Sequence, residues 1–125
     1  MLDAIDKMKF GSALKELMSE RICHCSTDLL KSITGLDKKT VSLMWDGKSL
    51  TNVNVISACL GIHIPYPVSE RLLKLAKISL SLDLSDDVDM TYHQLLTLRW
   101  ASDYGDIYDD LEADGMETLI KKPPL

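Results

Sequence analysis

Hydrophobic residues recur at helical spacing along most of this 125-residue chain. In residues 3–22, for example, Met8, Leu14, Leu17 and Ile22 can share one stripe of a helix, because helical neighbours on a face lie three or four positions apart. The same reading predicts seven helices, at about residues 12–21, 27–34, 38–45, 51–60, 68–78, 88–100 and 106–113.

Polar residues with capping ability stand at several of these boundaries. Ser26 is a good N-cap for the second predicted helix, and Asp37 is one for the third. Gly35 lies where the second helix should stop with a left-handed residue. Thr51 or Asn52 can cap the fourth helix.

Breaks in the pattern predict non-helical segments. Gly11 and Ser12 interrupt the first stripe, so we expect a short lead before the first helix, and Gly61 should close the fourth. "HIPYP" at 63–67 should be extended, because two prolines two positions apart cannot continue a helix. "SLSLDLSDD" at 79–87 alternates like a strand but has no obvious partner strand, so a linker or helix tail is preferred; "KKPPL" at 121–125 should be a frayed end.

The overall pattern predicts an all-α protein. Aromatic residues make up only 6% of the chain, and Leu, Ile and Met are abundant, which favours helices over a β-sandwich. We predict a five-helix domain over residues 1–82, followed by an acidic helical extension over residues 83–125. Tyr104, Ile107, Tyr108 and Leu111 have helical spacing in that extension and are expected to pack into a core.

Charge separates these two parts. The formal net charge is −5, but residues 1–82 carry 11 Lys/Arg against 8 Asp/Glu, whereas residues 83–125 carry 3 against 11. A mildly basic first part is compatible with phosphate binding, and the acidic part cannot itself face a duplex. The chain shows no apolar run long enough to span a membrane and no secretion-signal core. Its three cysteines form no disulfide pattern, so we expect a cytoplasmic protein with reduced thiols and no membrane contact.

The stretch "TGLDKKTVSLMWDGKSL" at 34–50 fits the demands of a helix-turn-helix. Leu30 can face the core from the first helix, and Gly35 tolerates the positive φ of a tight turn. Val41 and Met44, three apart, can be the buried pair of the second helix, which leaves its remaining residues for the major groove.

Residues 12–61 resemble the phage-repressor helix-turn-helix family, of the Cro and lambda-repressor (XRE) type. The resemblance rests on the TGL turn, on Val41 six positions after the glycine and on the GK after the second helix; residues 55–78 also look like the continuation seen in small members of the family. It implies a five-helix fold, sequence-specific binding of double-stranded DNA as a homodimer, and transcription regulation. The DNA-binding positions that it implies are Lys38, Lys39, Thr40, Ser42, Leu43, Thr27 and Lys48.

A second hypothesis is a helix-turn-helix scaffold that serves as a protein-interaction module, such as an antirepressor or an inhibitor of a nucleic-acid-binding partner. The predicted recognition helix has no Arg, Asn or Gln, the side chains that read bases in a bidentate manner. Asp28 would repel a phosphate, Lys31 stands where the family prefers alanine, and Trp45 is bulky. The acidic helices could then bind a protein partner, although a solvated surface is the simpler interpretation of their charge.

Two further groups of residues suggest chemistry. Cys23, Cys25, Cys59 and His63 could supply four zinc ligands, but Cys59 and His63 straddle Gly61, and Cys59 fits a core position better. We therefore predict no metal site.

His93 and Asp89, four apart, could form a catalytic pair, but a solvated ion pair on the helix surface is the preferred interpretation. The chain has no glycine-rich phosphate loop, no nucleophile elbow and no calcium loop. We therefore expect a protein without catalytic activity and without a cofactor.

Overall fold

A computed structural model of the chain describes residues 8–19, 24–80 and 86–124. Within those ranges the secondary structure is helical, with no β-strand, which confirms the all-α prediction. The elements are α1 Phe10–Met18, α2 Thr27–Thr34, α3 Lys38–Trp45, α4 Asn52–Ile62, α5 Tyr66–Leu75, α6 Asp87–Leu98, α7 Tyr104–Ala113 and a 3₁₀ helix Glu117–Leu119.

The capping residues confirm the predicted starts of three helices. Ser26, Asp37 and Thr51 each accept a hydrogen bond from the backbone N–H three residues later, at the starts of α2, α3 and α4. These bonds satisfy N–H groups that have no partner within the helix. The bounds of α2 and α3 are therefore those that local sequence signals predicted.

The prediction that Gly11 belongs to a non-helical segment before the first helix is wrong. The helix begins at Phe10 and includes Gly11, and it ends at Met18 rather than at Arg21. Gly11 lies against the backbone of Trp45 in α3, so closely that a Cβ at this position would overlap the Trp45 carbonyl oxygen. The glycine is thus a packing residue that allows α1 and α3 to approach, and it does not interrupt the helix.

The predicted end of α4 at Leu60 is also wrong. The helix continues to Ile62, and His63 takes the left-handed conformation that ends it, with a φ of 59°. Gly61 lies inside the helix, where a Cβ would run into the Thr34 side chain of α2. Gly61 therefore allows α2 and α4 to pack closely, and it does not end α4.

The predicted extended segment at 63–67 is shorter in the structure. Helix α5 begins at Tyr66, and Pro67 occupies its first turn. A proline is tolerated there because the first N–H groups of a helix have no intrahelical partner. The helix ends at Leu75 instead of Ile78, and Lys77 beyond it has a φ of 59°. For "SLSLDLSDD", residues 81–85 lie outside the described residues.

One hydrophobic core runs from Phe10 of α1 to Ile120 after the 3₁₀ helix. Helix α4 is its centre, because every residue from Val55 to Ile62 is buried, and it packs against α2, α6 and the 3₁₀ helix. The predicted core residues of α7, Tyr104, Ile107, Tyr108 and Leu111, are all buried. The boundary near residue 82 therefore marks a change in charge, while the core continues across it.

The C-terminal residues 117–124, which we call the C-terminal strap, are held against this core. The hydroxyl of Tyr92 donates to the Leu119 carbonyl over 2.6 Å, and that of Tyr104 donates to the Lys121 carbonyl over 2.7 Å. The Lys121 N–H in turn donates to Ser57 Oγ of α4 over 2.9 Å.

The strap also reaches the turn between α2 and α3. Leu119 and Ile120 are buried, and the Lys122 carbonyl lies so close to Gly35 that a Cβ there would collide with it. The predicted frayed end is therefore wrong at least as far as Lys122. Apolar burial and hydrogen bonds to partners far away in sequence order this segment, and neither is visible in the local sequence.

Candidate nucleic-acid interface

Helices α2 and α3 are joined by a turn of three residues, Gly35 to Asp37. Gly35 has φ 82° and ψ 0°, and its N–H donates to the Lys31 carbonyl over 2.8 Å. Only glycine adopts that left-handed conformation without a steric cost. Asp37 Oδ1 then accepts from the Thr40 N–H over 2.7 Å and starts α3. Both the glycine turn and the cap thus depend on residues that are neighbours in the sequence.

The inner side of the corner is fully buried. Leu30, Leu36, Val41 and Met44 have no exposed surface, which confirms the predicted buried pair of α3. Thr34 is also fully buried; its hydroxyl donates to the Leu30 carbonyl and accepts from the Leu36 N–H, over 2.8 and 3.1 Å. Sequence reasoning missed this role of Thr34, although its position directly before the turn glycine could have suggested it.

The outer side of α3 carries the predicted DNA-binding residues. Lys38, Lys39 and Ser42 are exposed, and Thr40 and Leu43 are half-buried. At four-residue spacing, Lys38 with Ser42 and Lys39 with Leu43 form neighbouring rows on the helix surface. Helix α3 therefore offers a short polar face with one apolar side chain.

The other two predicted residues lie outside α3. Thr27 is the first residue of α2 and is half-buried, while Lys48 is exposed beyond the end of α3. Lys48 is fixed through its backbone, whose N–H donates to the Leu43 carbonyl over 2.8 Å.

An ion pair connects the starts of the two helices. Lys38 Nζ lies 2.8 Å from Asp28 Oδ1, and the two side chains are 62% and 74% exposed. Exposed pairs contribute only about 0–1 kcal/mol, so exchange of Asp28 for a phosphate would cost little. Lys39 has no such ionic partner among the described residues.

Carboxylates balance the cations of this surface. Hydrogen bonding from the Thr40 N–H lowers the pKa of Asp37, so this capping carboxylate is ionised at neutral pH. Together with Asp28 and Asp46 it offsets the three lysines at and after α3. Lys31 and Lys121 also lie close enough to lower the pKa of Asp37, so the three carboxylates weaken the positive field of the corner without cancelling it.

Trp45 belongs to the opposite side of α3. Its ring is half-buried beneath Lys15 of α1, with the Lys15 Nζ 4.9 Å from the ring centroid, and its backbone meets Gly11. The cation–π geometry and the helix contact explain why a bulky residue is accommodated there. Its buried Nε1 has no hydrogen-bond partner among the described residues.

The residues considered above as zinc ligands or as a catalytic pair lie in different surroundings where the structure describes them. Cys59 is buried in α4, and burial raises the pKa of its thiol to about 12; Cys23 lies outside the described residues. Within the described ranges no three His, Cys, Asp or Glu side chains are grouped as metal ligands would be. His93 packs edge-on against the Tyr66 ring, with centroids 5.5 Å apart.

Cys59 is expected to resist alkylation while the chain is folded. The thiolate is the reactive form, and a thiol whose pKa is about 12 is almost entirely protonated at pH 8. Iodoacetamide followed by peptide mapping should modify Cys59 only in urea. The exposed thiol of an unfolded reference peptide is the control, and modification at equal rates in folded chain and peptide would contradict burial of this side chain.

None of the described helices is long and apolar enough to cross a membrane. Comparison with known proteins gives no match to a family model, to a curated protein or to a solved structure.

Proposed function

We propose that this protein is a sequence-specific double-stranded-DNA-binding transcriptional regulator of the Cro/lambda-repressor (XRE) type. In this proposal residues 1–82 are its five-helix helix-turn-helix domain. The observation that carries it is the α2–α3 corner: a three-residue turn with a left-handed glycine, Val41 and Met44 buried beneath α3, and Lys39 and Ser42 exposed on it. A recognition helix needs this division between a buried and an open face.

The exposed face of α3 would enter the major groove, whose width of about 12 Å admits a helix. Lys39 would contact a phosphate or a guanine edge, and Lys38 would exchange Asp28 for a phosphate. Thr40 and Ser42 would offer short hydroxyl contacts, while Leu43 would touch a thymine methyl group. Thr27, at the start of α2, and Lys48, after α3, would lie near the phosphate backbone of the DNA.

A homodimer is part of this proposal. One α3 offers few groups that can distinguish bases, and specificity grows with the number of base contacts. Two copies would read two half-sites about one helical turn apart and so favour a two-fold symmetric operator. The regulator would act in the cytoplasm and would need neither a metal nor catalysis.

Selection from a randomised duplex pool at low salt tests this proposal. The wild-type chain should enrich a two-fold symmetric site, and the double variant Lys38→Ala, Lys39→Ala should lose that enrichment. If both lysines contact phosphates in each subunit of the dimer, their removal takes away four contacts and should also lower the slope of log affinity against log salt by about 4.

A matched control removes two lysines elsewhere. Lys74 and Lys77 are exposed on and after α5, and the double variant Lys74→Ala, Lys77→Asn makes the same charge change. Asparagine is chosen at 77 because it tolerates the left-handed backbone there. This control should keep the enriched site. Absence of duplex retention even at low salt would overturn the proposal.

The second candidate is a protein-interaction module, either an antirepressor or an inhibitor of a nucleic-acid-binding partner. The pairing of Lys38 with Asp28 and the ionised Asp37 favour it, because both reduce the positive field of α3. Salt distinguishes the two candidates: binding of DNA should weaken steeply with added salt, whereas an apolar protein contact through Leu43 should weaken little.

A further inference from the structure

Two adjoining hollows lie along one side of α6, where this helix meets α7 and Met116 before the 3₁₀ helix. Both are lined by Thr91 and Gln94, and their volumes are about 490 and 250 Å³. We call this surface the α6–α7 trough. Its α6 side consists of Asp87, Met90, Thr91, Gln94, Leu95 and Leu98.

The spacing of these residues makes the trough one face of a helix. Asp87, Thr91, Gln94 and Leu98 follow each other at intervals of four, three and four, which is the period of a single helical stripe. With a rise of 1.5 Å per residue, the stripe is about 17 Å long. A trough of that length accommodates about three turns of a second helix.

The trough offers an apolar floor with adaptable side chains. Leu95, Ile107 and Leu111 form its buried base, and the half-buried Met90 and Met116 line the other end. Methionine side chains adjust to different apolar partners and are frequent at helix-binding surfaces.

Leu98 stands at one end of the trough and is 76% exposed, more than the other exposed large hydrophobic residues of the described chain. A single exposed leucine is ordinary on a protein surface. This one, however, continues the apolar floor outward, where a docked helix would cover it. The trough is therefore a partly apolar face with an exposed leucine at its end.

Charge decides which kind of helix fits. Asp87, Asp110 and Asp114 stand along the trough, and the cation that borders it, Arg99, is bound to Asp110 with 2.9 Å between Nη1 and Oδ2. Residues 86–124 carry 10 Asp/Glu against 3 Lys/Arg. A basic partner is complementary to this surface, whereas a second copy docked two-fold on the same face would oppose like charges.

We propose that the α6–α7 trough binds a basic amphipathic helix of about three turns, supplied by another protein. Apolar residues of that helix, spaced three and four apart, would cover Leu98 and the methionines, and its lysines or arginines would face Asp87 and Asp114. This interaction does not rest on DNA binding by α3, because it uses neither of the helices of the corner.

Selection from a displayed library of random 16-residue peptides on immobilised full-length chain tests the trough. Enriched peptides should carry an apolar stripe at helical spacing flanked by Lys or Arg. A synthetic copy of the best peptide, fluorescently labelled, should lose at least tenfold in affinity against Leu98→Asp. It should lose a similar factor against Asp87→Asn with Asp114→Asn.

Val88→Asp is the matched control. Val88 is a 43% exposed apolar residue of α6 that does not line the trough, and a carboxylate in the first turn of a helix is favourable. This variant should bind the peptide like the wild type. Circular dichroism should show only slightly lowered melting for Leu98→Asp, because that side chain is already exposed and a carboxylate in the last turn of α6 opposes the helix dipole only weakly.

Three results would overturn the proposal. The first is a selection that enriches no peptide, or only peptides without basic residues. The second is a peptide that binds Leu98→Asp as well as the wild type. The third is a wild-type dimer in sedimentation that Leu98→Asp dissociates, which would assign the trough to a second copy. Duplex binding, measured in parallel, reports separately on the corner.

Discussion

A chain shortened to end at Met116 is expected to lose at least about 3 kcal/mol of unfolding free energy. The deletion removes Leu119 and Ile120, both buried, and truncation of such side chains typically costs about 2–5 kcal/mol each. The conformational entropy that the freed residues recover offsets part of this loss. Since domains of this size are stable by only about 5–15 kcal/mol, the shortened chain should melt at least about 10 °C lower.

The same deletion removes three hydrogen bonds from groups that remain in the chain. The hydroxyls of Tyr92 and Tyr104 lose their carbonyl acceptors, and Ser57 loses the Lys121 N–H. Buried hydroxyls without partners add to the destabilisation unless water replaces the lost bonds. The deletion also uncovers the turn at Gly35, so we expect the corner to become more mobile as well.

Thermal and urea unfolding measure the loss of unfolding free energy. Two further variants show whether this loss comes from the buried part of the strap. A chain that ends at Pro123 keeps the buried residues and the three hydrogen bonds, so its unfolding free energy should stay within about 0.5 kcal/mol of the wild type. Ile120→Ala keeps the backbone and should cost about 2–4 kcal/mol. An unchanged midpoint for the chain ending at Met116 would show that the strap does not hold the fold.

Gly11→Ala is expected to destabilise the protein by about 1–3 kcal/mol, although alanine is the better helix former. In an open helix this substitution gains about 1 kcal/mol. Here the added methyl group would overlap the Trp45 carbonyl oxygen, which belongs to the backbone and cannot rotate away. Helix α1 would have to move off α3, with loss of contacts for the buried neighbours Phe10 and Leu14.

Urea unfolding measures the change in unfolding free energy, provided that the dependence of this free energy on urea concentration is the same in both proteins. Ser12→Ala is the matched control, because Ser12 is the next residue of α1 and is exposed; this variant should be neutral or slightly stabilising. A gain of stability for Gly11→Ala similar to that of Ser12→Ala would contradict the close approach of α1 and α3.

The candidate site could be predicted to the extent that it depends on neighbours in sequence. The caps Ser26 and Asp37, the left-handed Gly35 and the bounds of α2 and α3 are all products of short-range hydrogen bonds and backbone sterics. The buried pair Val41 and Met44 followed from helical periodicity alone. The ion pair between Lys38 and Asp28 could not be predicted in this way, because it joins side chains of two helices whose relative position only the corner defines.

The sequence by itself determined that the chain is helical, where its caps lie and how its charge divides near residue 82, since propensity, periodicity and charge are local properties. Only the tertiary structure decided the role of Gly11 and Gly61, which are read locally as helix breakers and act as contact points between helices. It also decided that the C-terminal strap is ordered. In each case the deciding partner is distant in sequence, and contact with it outweighs the local preference.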